Sequence, residues 1–147
     1  MTEPITQFTG CYRFLSNFYP SIIEGIDGHR YVTVEHAYQA AKCANKTDAL
    51  RIRRTLKPAV AKHMGVGVAR KGDFMENRVT IMRSLVLKKF ANIQHLKEKL
   101  LATGNAELSE GNYWGDRFWG VCKGEGENHL GKILMQVRKE LRDGKPD

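Results

Sequence analysis

From Thr33 onward, apolar residues of this chain recur at intervals of three and four, the spacing of one buried helix face. Three segments with this pattern are Thr33–Lys42, Asp73–Ala91 and Asn128–Leu141. The last segment places five apolar side chains on one face: Leu130, Ile133, Leu134, Val137 and Leu141. A chain with this periodicity over most of its length is expected to fold mainly as amphipathic helices.

Polar residues and a proline indicate where these helices begin. Thr33 can cap the first helix, and Asp73 with Glu76 three residues later resembles a capping box. Pro58 is suited to the first turn of another helix, which we expect Gly65 to end. Two further segments complete the helical pattern: Thr47–Leu56 and Ile93–Leu101.

The first third of the chain is different, because β-branched and aromatic residues dominate it. Ile5–Phe14 has the composition of a strand, and Ile22–Val34 holds two short runs around Asp27-Gly28, a hairpin signal. Nothing in the sequence resembles a linker or a repeat. We therefore predict an α+β fold of one domain, residues 1–147, predominantly helical with a small N-terminal antiparallel sheet.

Composition excludes several classes of protein. With 41% hydrophobic and 27% charged residues in 147, the chain has the composition of a globular protein with a real core. No apolar run is long enough to cross a membrane, and the first ten residues lack the features of a signal peptide. Three widely spaced cysteines without a CxxC pair indicate reduced thiols in a cytoplasmic protein, and no metal site.

A net charge of +8 indicates an anionic partner. A phosphorylated metabolite, a nucleotide and a nucleic acid all satisfy that condition. Much of the excess lies at scattered positions of the predicted helices, where charges usually face water: Arg51, Arg53, Arg54, Lys88, Lys89, Lys97 and Lys99. Charge alone does not separate the three partners.

The segment Glu110–Gly120 contains both tryptophans of the chain, Trp114 and Trp119, with Asp116 between them. Flat rings, a carboxylate and flexible backbone describe a pocket that stacks a planar ligand. An aromatic plug in a small core has the same composition, so the segment by itself favours neither interpretation. In a plug, Asp116 would cap a turn after Gly115.

Glu35 lies in the first turn of the predicted helix Thr33–Lys42. An acid at a helix start is common, because the helix dipole stabilises it. Tyr38, Gln39 and Lys42 follow at three- and four-residue spacing, so one helix face can present an acid, an amide and an ammonium together. We take Glu35 as a candidate catalytic carboxylate.

Arg13 is a cation among aromatic residues, in a segment where Ser16, Asn17 and Phe18 follow. Its stem can pack on the rings with its head in water, or its guanidinium can contact a phosphate or ribose. The neighbouring polar groups favour ligand binding.

Six blocks of the sequence are spread over most of its length: Tyr12–Ser21, Thr33–Lys42, Arg78–Phe90, Leu101–Asn105, Leu108–Val121 and Asn128–Arg138. In this order they resemble the NADAR family of YbiA-like proteins. The chain departs from the family around Gly65–Asp73, where the family usually carries more arginine and a tryptophan. Val66 and Phe74 take those places here.

The resemblance implies hydrolysis of an N-glycosidic bond, with no metal or other cofactor. Relatives release ribose 5-phosphate from phosphoribosylamino-pyrimidine intermediates of riboflavin biosynthesis, and others remove ADP-ribose from guanine bases of nucleic acid. The family's functional positions fall here on Glu35, Trp114 and Asp116. Trp119 would also line the pocket for the base. Three cations would bind the phosphate: Arg13, Lys42 and Lys132. Further substrate-binding positions are expected in the same blocks: Ser16, Asn17, Phe18, Tyr38 and Gln39.

Three functions remain open from the sequence. The first is an N-glycosidase acting on a phosphorylated, nucleotide-like small molecule. The second is an ADP-ribosyl hydrolase whose substrate is on nucleic acid, which the net charge favours. The third is a non-catalytic ADP-ribose or nucleotide binder, against which the presence of Glu35 and Asp116 argues.

Overall fold

The computed structural model describes residues 2–144. The chain divides into two compact units, one formed by Asn17–Lys89 and the other by Met1–Ser16 together with Phe90–Asp147. Helices dominate both units, and the antiparallel sheet is small and close to the N-terminus. The predicted fold class is confirmed, whereas the assignment of residues 1–147 to one domain stays a prediction.

The unit Asn17–Lys89 contains a hairpin, three helices and most of a fourth. Its elements are β1 (Ile23–Glu24), β2 (Arg30–Tyr31), α1 (Val34–Lys42), α2 (Lys46–Arg54), α3 (Pro58–Gly67) and α4 (Phe74–Asn92). α1 packs against both α2 and α3. The apolar side chains buried in this part of the chain include Tyr31, Val34, Ala37, Ile52, Ala61, Phe74, Met82, Leu85 and Val86.

The predicted hairpin at Asp27-Gly28 is confirmed. Ile23 pairs with Tyr31 and Glu24 with Arg30, antiparallel, and Gly28 takes a φ of +84° that a side chain would disfavour. The Asp27 carboxylate accepts the His29 N–H at 3.0 Å and the Tyr31 hydroxyl at 2.6 Å. These bonds stabilise the turn, so two residues per strand suffice to form the hairpin.

The second unit consists of short elements around two packed helices. A 3-10 helix (Gly10–Leu15) precedes α5 (Gln94–Ala102), β3 (Gly111–Asn112), β4 (Val121–Cys122) and α6 (His129–Asp143). β3 and β4 pair in parallel, and α5 packs against α6. The predicted buried face of α6 is present at four positions: Leu130, Ile133, Leu134 and Val137. Leu141, the fifth predicted position, is half-buried.

Two sequence-based predictions of local structure are wrong. Ile5–Phe14 is not a strand: Ile5 alone forms a parallel bridge with Leu108, and Gly10, at φ +58°, begins the 3-10 helix that buries Phe14. Gly65 does not end α3, which continues to Gly67. The missing side chain of Gly65 serves a helix contact described below, not a helix end.

No helix among residues 2–144 combines the length and apolar character required to span a bilayer. The three cysteines, Cys11, Cys43 and Cys122, are all free thiols.

Candidate functional site

Glu35 is a buried carboxylate at the beginning of α1. Its side chain is only 7% exposed, and it lies in the first turn, where the helix dipole favours negative charge. The Gln39 Nε2–H donates a hydrogen bond of 2.6 Å to Glu35 Oε2, one turn along the same helix. Acidic residues are rarely this buried unless a partner compensates the charge, so the environment of Glu35 is specialised.

Lys42 brings a positive charge into the same cluster. Its Nζ donates to the Gly65 carbonyl at 3.4 Å and lies about 6 Å from the rings of Tyr38 and Phe74, at 6.0 and 5.8 Å. Burial lowers the pKa of Lys42, and the negative charge of Glu35 partly offsets that effect. The predicted helix face of acid, amide and ammonium is therefore present in the structure.

Phe74 lies in the same cluster as Tyr38 and Lys42. Phe74 is buried and packs on Tyr38, with ring centroids 5.4 Å apart. Tyr38 is itself 6% exposed, so its ring forms part of the wall beside Lys42. Val66 is 81% exposed on α3.

His36 fixes the start of α1 and so the place of Glu35. Thr33 Oγ1 accepts the His36 backbone N–H at 3.1 Å and lies 2.7 Å from His36 Nδ1, while Nε2 lies 2.9 Å from the Thr55 carbonyl. A carbonyl only accepts, so Nε2 carries the proton and Nδ1 accepts from the threonine hydroxyl. Burial lowers the pKa of His36 and so favours this neutral form, while the hydrogen bond to the Thr55 carbonyl raises the pKa and offsets part of that effect. His36 is therefore structural, as the sequence indicated.

The loop residues Asn17 and Phe18 lie in the same unit as α1. The Asn17 carbonyl accepts the backbone N–H of Glu35 at 3.1 Å, and its side-chain amide donates to the Met82 sulfur at 3.5 Å. The Phe18 ring lies 5.9 Å from Lys62 Nζ. The structure thus brings Asn17 to Glu35, a contact that the sequence did not predict.

In the other unit, Asp116 caps a turn. Its Oδ1 accepts the backbone N–H groups of Phe118, at 3.1 Å, and Trp119, at 2.9 Å. Among the described residues, Oδ2 has no hydrogen bond, so one oxygen of the carboxylate stays available to a ligand hydroxyl. The turn-capping role considered from the sequence is present, and a ligand role is compatible with it.

Asn112 and Asn128 were missed by the sequence reasoning, although both hold the segment Glu110–Gly120 in shape. Asn112 accepts the Asp116 N–H at 3.0 Å and donates to the Asp116 carbonyl at 2.9 Å. Asn128 accepts the Glu110 N–H at 3.0 Å and donates to the Leu108 carbonyl at 3.0 Å. Asn128 has a φ of +55°, a conformation that asparagine tolerates better than most residues.

The two tryptophans differ in exposure. Trp114 is 52% exposed and meets Tyr113 edge-on at 5.1 Å, so part of its ring faces solvent. Trp119 is half-buried and packs edge-on against Phe118 at 4.8 Å, while the Phe118 ring lies 4.4 Å from that of His129. Trp119 thus has the character of a plug and Trp114 that of a stacking surface.

The remaining predicted positions lie in the same unit as the tryptophans. Arg13 is exposed in the 3-10 helix, and the Ser16 N–H donates to its carbonyl at 3.0 Å. Lys132 is exposed in the first turn of α6. Among residues 2–144, no three His, Cys, Asp or Glu side chains are grouped as a metal site would require.

Comparison with known proteins assigns the family. The NADAR domain family model matches residues 6–142. The chain belongs to the NADAR domain family. An N-glycosidase of Nostoc punctiforme is 40% identical over 140 residues, which cover 91% of this chain and 86% of that protein. N-glycosidase YbiA of Escherichia coli is 34% identical over 136 residues, 88% of this chain and 82% of YbiA.

A solved structure shares this NADAR fold. The NMR structure of Escherichia coli YbiA matches with a TM-score of 0.85 and 32% identity, over 98% of this chain and 88% of YbiA. A riboflavin biosynthesis protein of Vibrio vulnificus is 37% identical over 140 residues. This chain spans 90% of its own length in that match but only 36% of the Vibrio protein. The prediction of the family, and of a hydrolase class acting on N-glycosyl bonds, is confirmed by these relatives.

Proposed function

We propose that this NADAR protein hydrolyses the C1′–N bond between a phosphorylated ribose and an aminopyrimidine, an intermediate of riboflavin biosynthesis. The observation that carries the proposal is Glu35, a 7% exposed carboxylate held by Gln39, in a chain 40% identical to an N-glycosidase. The riboflavin biosynthesis protein of Vibrio vulnificus supports the choice of substrate.

The chemistry explains why a fixed carboxylate is useful. Breaking the C1′–N bond gives the ribose an oxocarbenium-like transition state with positive charge near C1′. A carboxylate held beside that carbon stabilises the charge and can accept a proton from the attacking water. Water oxygen bonds to C1′, the C1′–N electron pair goes to nitrogen, and the leaving amine takes up a proton.

Burial of Glu35 disfavours its ionised form, and three features of α1 oppose that effect. These are the helix N-terminus, the hydrogen bond from Gln39 and the positive charge of Lys42. An ionised carboxylate is the form that both proposed tasks require. The proposal therefore assigns the base or charge-stabilising role to Glu35 and phosphate binding to Lys42, with Arg13 and Lys132.

The proposal assigns Asp116 to a ribose hydroxyl or to a second acid–base role, through the oxygen that does not cap its turn. Trp114, with about half of its surface exposed, is assigned to stacking on the pyrimidine. Trp119 is assigned to the wall of the pocket that holds the base. Of the remaining predicted binding positions, Ser16, Asn17, Phe18 and Tyr38 are assigned to positions around the substrate, and Gln39 is assigned to holding Glu35.

A second candidate function is removal of ADP-ribose from guanine bases of nucleic acid. The net charge of +8 favours it, as do exposed cations on and after α2: Lys46, Arg51, Arg54 and Lys57. Salt separates the two functions, because a nucleic-acid substrate loses affinity steeply as salt rises while a small metabolite loses far less.

The experiment offers the protein each substrate in turn and identifies products by mass. We expect ribose 5-phosphate from the phosphoribosylamino-pyrimidine, with a KM that changes little between 50 and 200 mM salt. Release of ADP-ribose from modified DNA alone would favour the second function. Binding of both substrates without any product would favour a non-catalytic binder.

A further inference from the structure

Gly65 lies at a close contact between α3 and α1, the helix that carries Glu35. It is buried within α3, where glycine is an unfavourable choice for helix stability. A Cβ built on Gly65 would overlap the Oε1 and Cδ atoms of Gln39. Ala61, one turn earlier on the same face, is fully buried, so α3 presents two small residues in succession. The Gln39 amide therefore occupies the space that any other side chain at position 65 would need.

The orientation of the Gln39 amide follows from its partner. A carboxylate oxygen only accepts, so the nitrogen of the amide faces Glu35 and the oxygen faces Gly65. Gln39 is 5% exposed, and among the described residues its Oε1 has no hydrogen-bond partner. A buried acceptor without a donor is unfavourable and rare in proteins. The hydrogen bond from Gln39 Nε2 to Glu35 accounts for this orientation of the amide, although it leaves Oε1 without a donor.

We infer that Gly65 and Gln39 form a positioning pair, in which the α3 backbone presses the Gln39 amide onto Glu35 and so fixes the carboxylate. This inference rests on the proposed function, because it acts through Glu35. Gly65 also accepts a hydrogen bond from Lys42 through its carbonyl, so one residue of α3 contacts both side chains next to Glu35 in the cluster. Gln39 then acts by orienting Glu35 and by donating to its ionised form, not by contacting substrate.

The positioning pair has a distinct kinetic signature. Displacing Gln39 weakens the orientation of Glu35 during the chemical step, so kcat falls while KM changes little. It also removes a hydrogen bond that favours the ionised carboxylate, so the acid limb of the kcat–pH profile moves to higher pH. A residue that only supports the fold would change neither the pH profile nor the ratio of these constants.

The test compares Gly65→Ala with Gly67→Ala on the same helix. No heavy atom lies within 4 Å of a Cβ built on Gly67, which is exposed, so this control is expected to keep the wild-type kcat and pH profile. Gly65→Ala is expected to lower kcat by about tenfold or more and to move the acid limb upward. Wild-type kcat and an unchanged profile in Gly65→Ala would overturn the inference, as would a rise in KM alone.

A stability cycle tests the same contact without reference to activity. Gly65→Ala is expected to lower the melting temperature of the wild type but not that of Gln39→Ala, since removing the amide leaves room for the methyl group. If Gly65→Ala is insoluble, the double variant is expected to fold as well as Gln39→Ala. Equal losses in both backgrounds, or an insoluble double variant, would overturn the pair.

The two proposals fail separately. Glu35→Gln measured in the same assay reports the catalytic assignment: if it keeps the wild-type kcat, the proposed function fails while the stability cycle still decides the Gly65–Gln39 contact. If Glu35→Gln is inactive and Gly65→Ala is fully active, only the positioning pair fails.

Discussion

Gln39 donates a 2.6 Å hydrogen bond to Glu35 one turn away on α1, and this bond joins the amide to a carboxylate that is almost fully buried. A charge-assisted bond of this length orients the acceptor as well as stabilising it. The contact turns an ordinary helix-start acid into a fixed group, and the catalytic assignment depends on it.

Glu35→Gln is expected to reduce kcat by a factor of about 100 or more while the melting temperature stays close to wild type. The amide has the same shape but neither carries charge nor accepts a proton. The matched control is Glu76→Gln, an exposed acid in the first turn of α4, which we expect to leave kcat unchanged. Steady-state kinetics and thermal melts check both variants, and wild-type turnover in Glu35→Gln would refute the assignment.

Two substitutions of Asp116 separate its proposed role in ligand binding from its role in capping the turn. Asp116→Asn keeps an oxygen that accepts the N–H groups of Phe118 and Trp119, whereas Asp116→Ala removes both bonds. We expect Asn to retain stability and lose activity, and Ala to lose both, with a stability loss of about 1–2 kcal/mol. Urea unfolding and kcat/KM measure the two effects. Full activity of Asp116→Asn would leave Asp116 with the turn alone.

Trp114→Ala is expected to raise KM while the melting temperature changes little, because about half of Trp114 is exposed. Loss of stacking on one base is worth about 1–3 kcal/mol, or a rise in KM of roughly five- to 150-fold. Tyr113→Ala is the control, since its ring is 89% exposed next to Trp114. A large drop in melting temperature with unchanged KM would return Trp114 to a structural role.

The burial of Lys89 leads us to expect that the free energy of unfolding depends on pH. The residue is 1% exposed, with Nζ 5.8 Å from the Tyr19 ring, and burial lowers its pKa to about 7. In the unfolded chain the amine keeps its proton up to its ordinary pKa of 10.5. Between these values the unfolded state binds more protons, so the free energy of unfolding rises with pH, by up to about 1.4 kcal/mol per unit.

Lys89→Met is expected to flatten this rise between pH 7 and pH 9 and to stabilise the protein below pH 7. Lys88→Met, at the neighbouring half-buried lysine, is expected to keep the wild-type slope. Urea unfolding at several pH values measures both. The same slope in Lys89→Met as in wild type would show that Lys89 does not titrate in this range.

Local signals in the sequence predicted much of the helical fold. The Thr33 cap, Pro58 at a first turn and the period of α6 act over a few residues, so each could be identified without tertiary information. The prediction of a strand at Ile5–Phe14 was wrong because composition alone cannot show that only Ile5 has a strand partner, 103 residues away at Leu108. Strand pairing between distant segments is a tertiary property.

The candidate site was predictable where it follows one helix and not where it depends on two. Glu35, Gln39 and Lys42 share a face of α1, so helical spacing predicted their grouping. Gly65 was taken as a helix end, because the reason for glycine there is the Gln39 amide on another helix. Asn112 and Asn128 were missed for a different reason, since their hydrogen bonds join residues of a loop that lacks periodicity.

The most direct test of the central claim is the mass of the products formed from the phosphoribosylamino-pyrimidine. Wild-type protein is expected to release ribose 5-phosphate and the free aminopyrimidine in equal amounts, and Glu35→Gln is expected to release neither. Intact substrate after incubation with folded wild-type protein, or equal product from both proteins, would contradict the account.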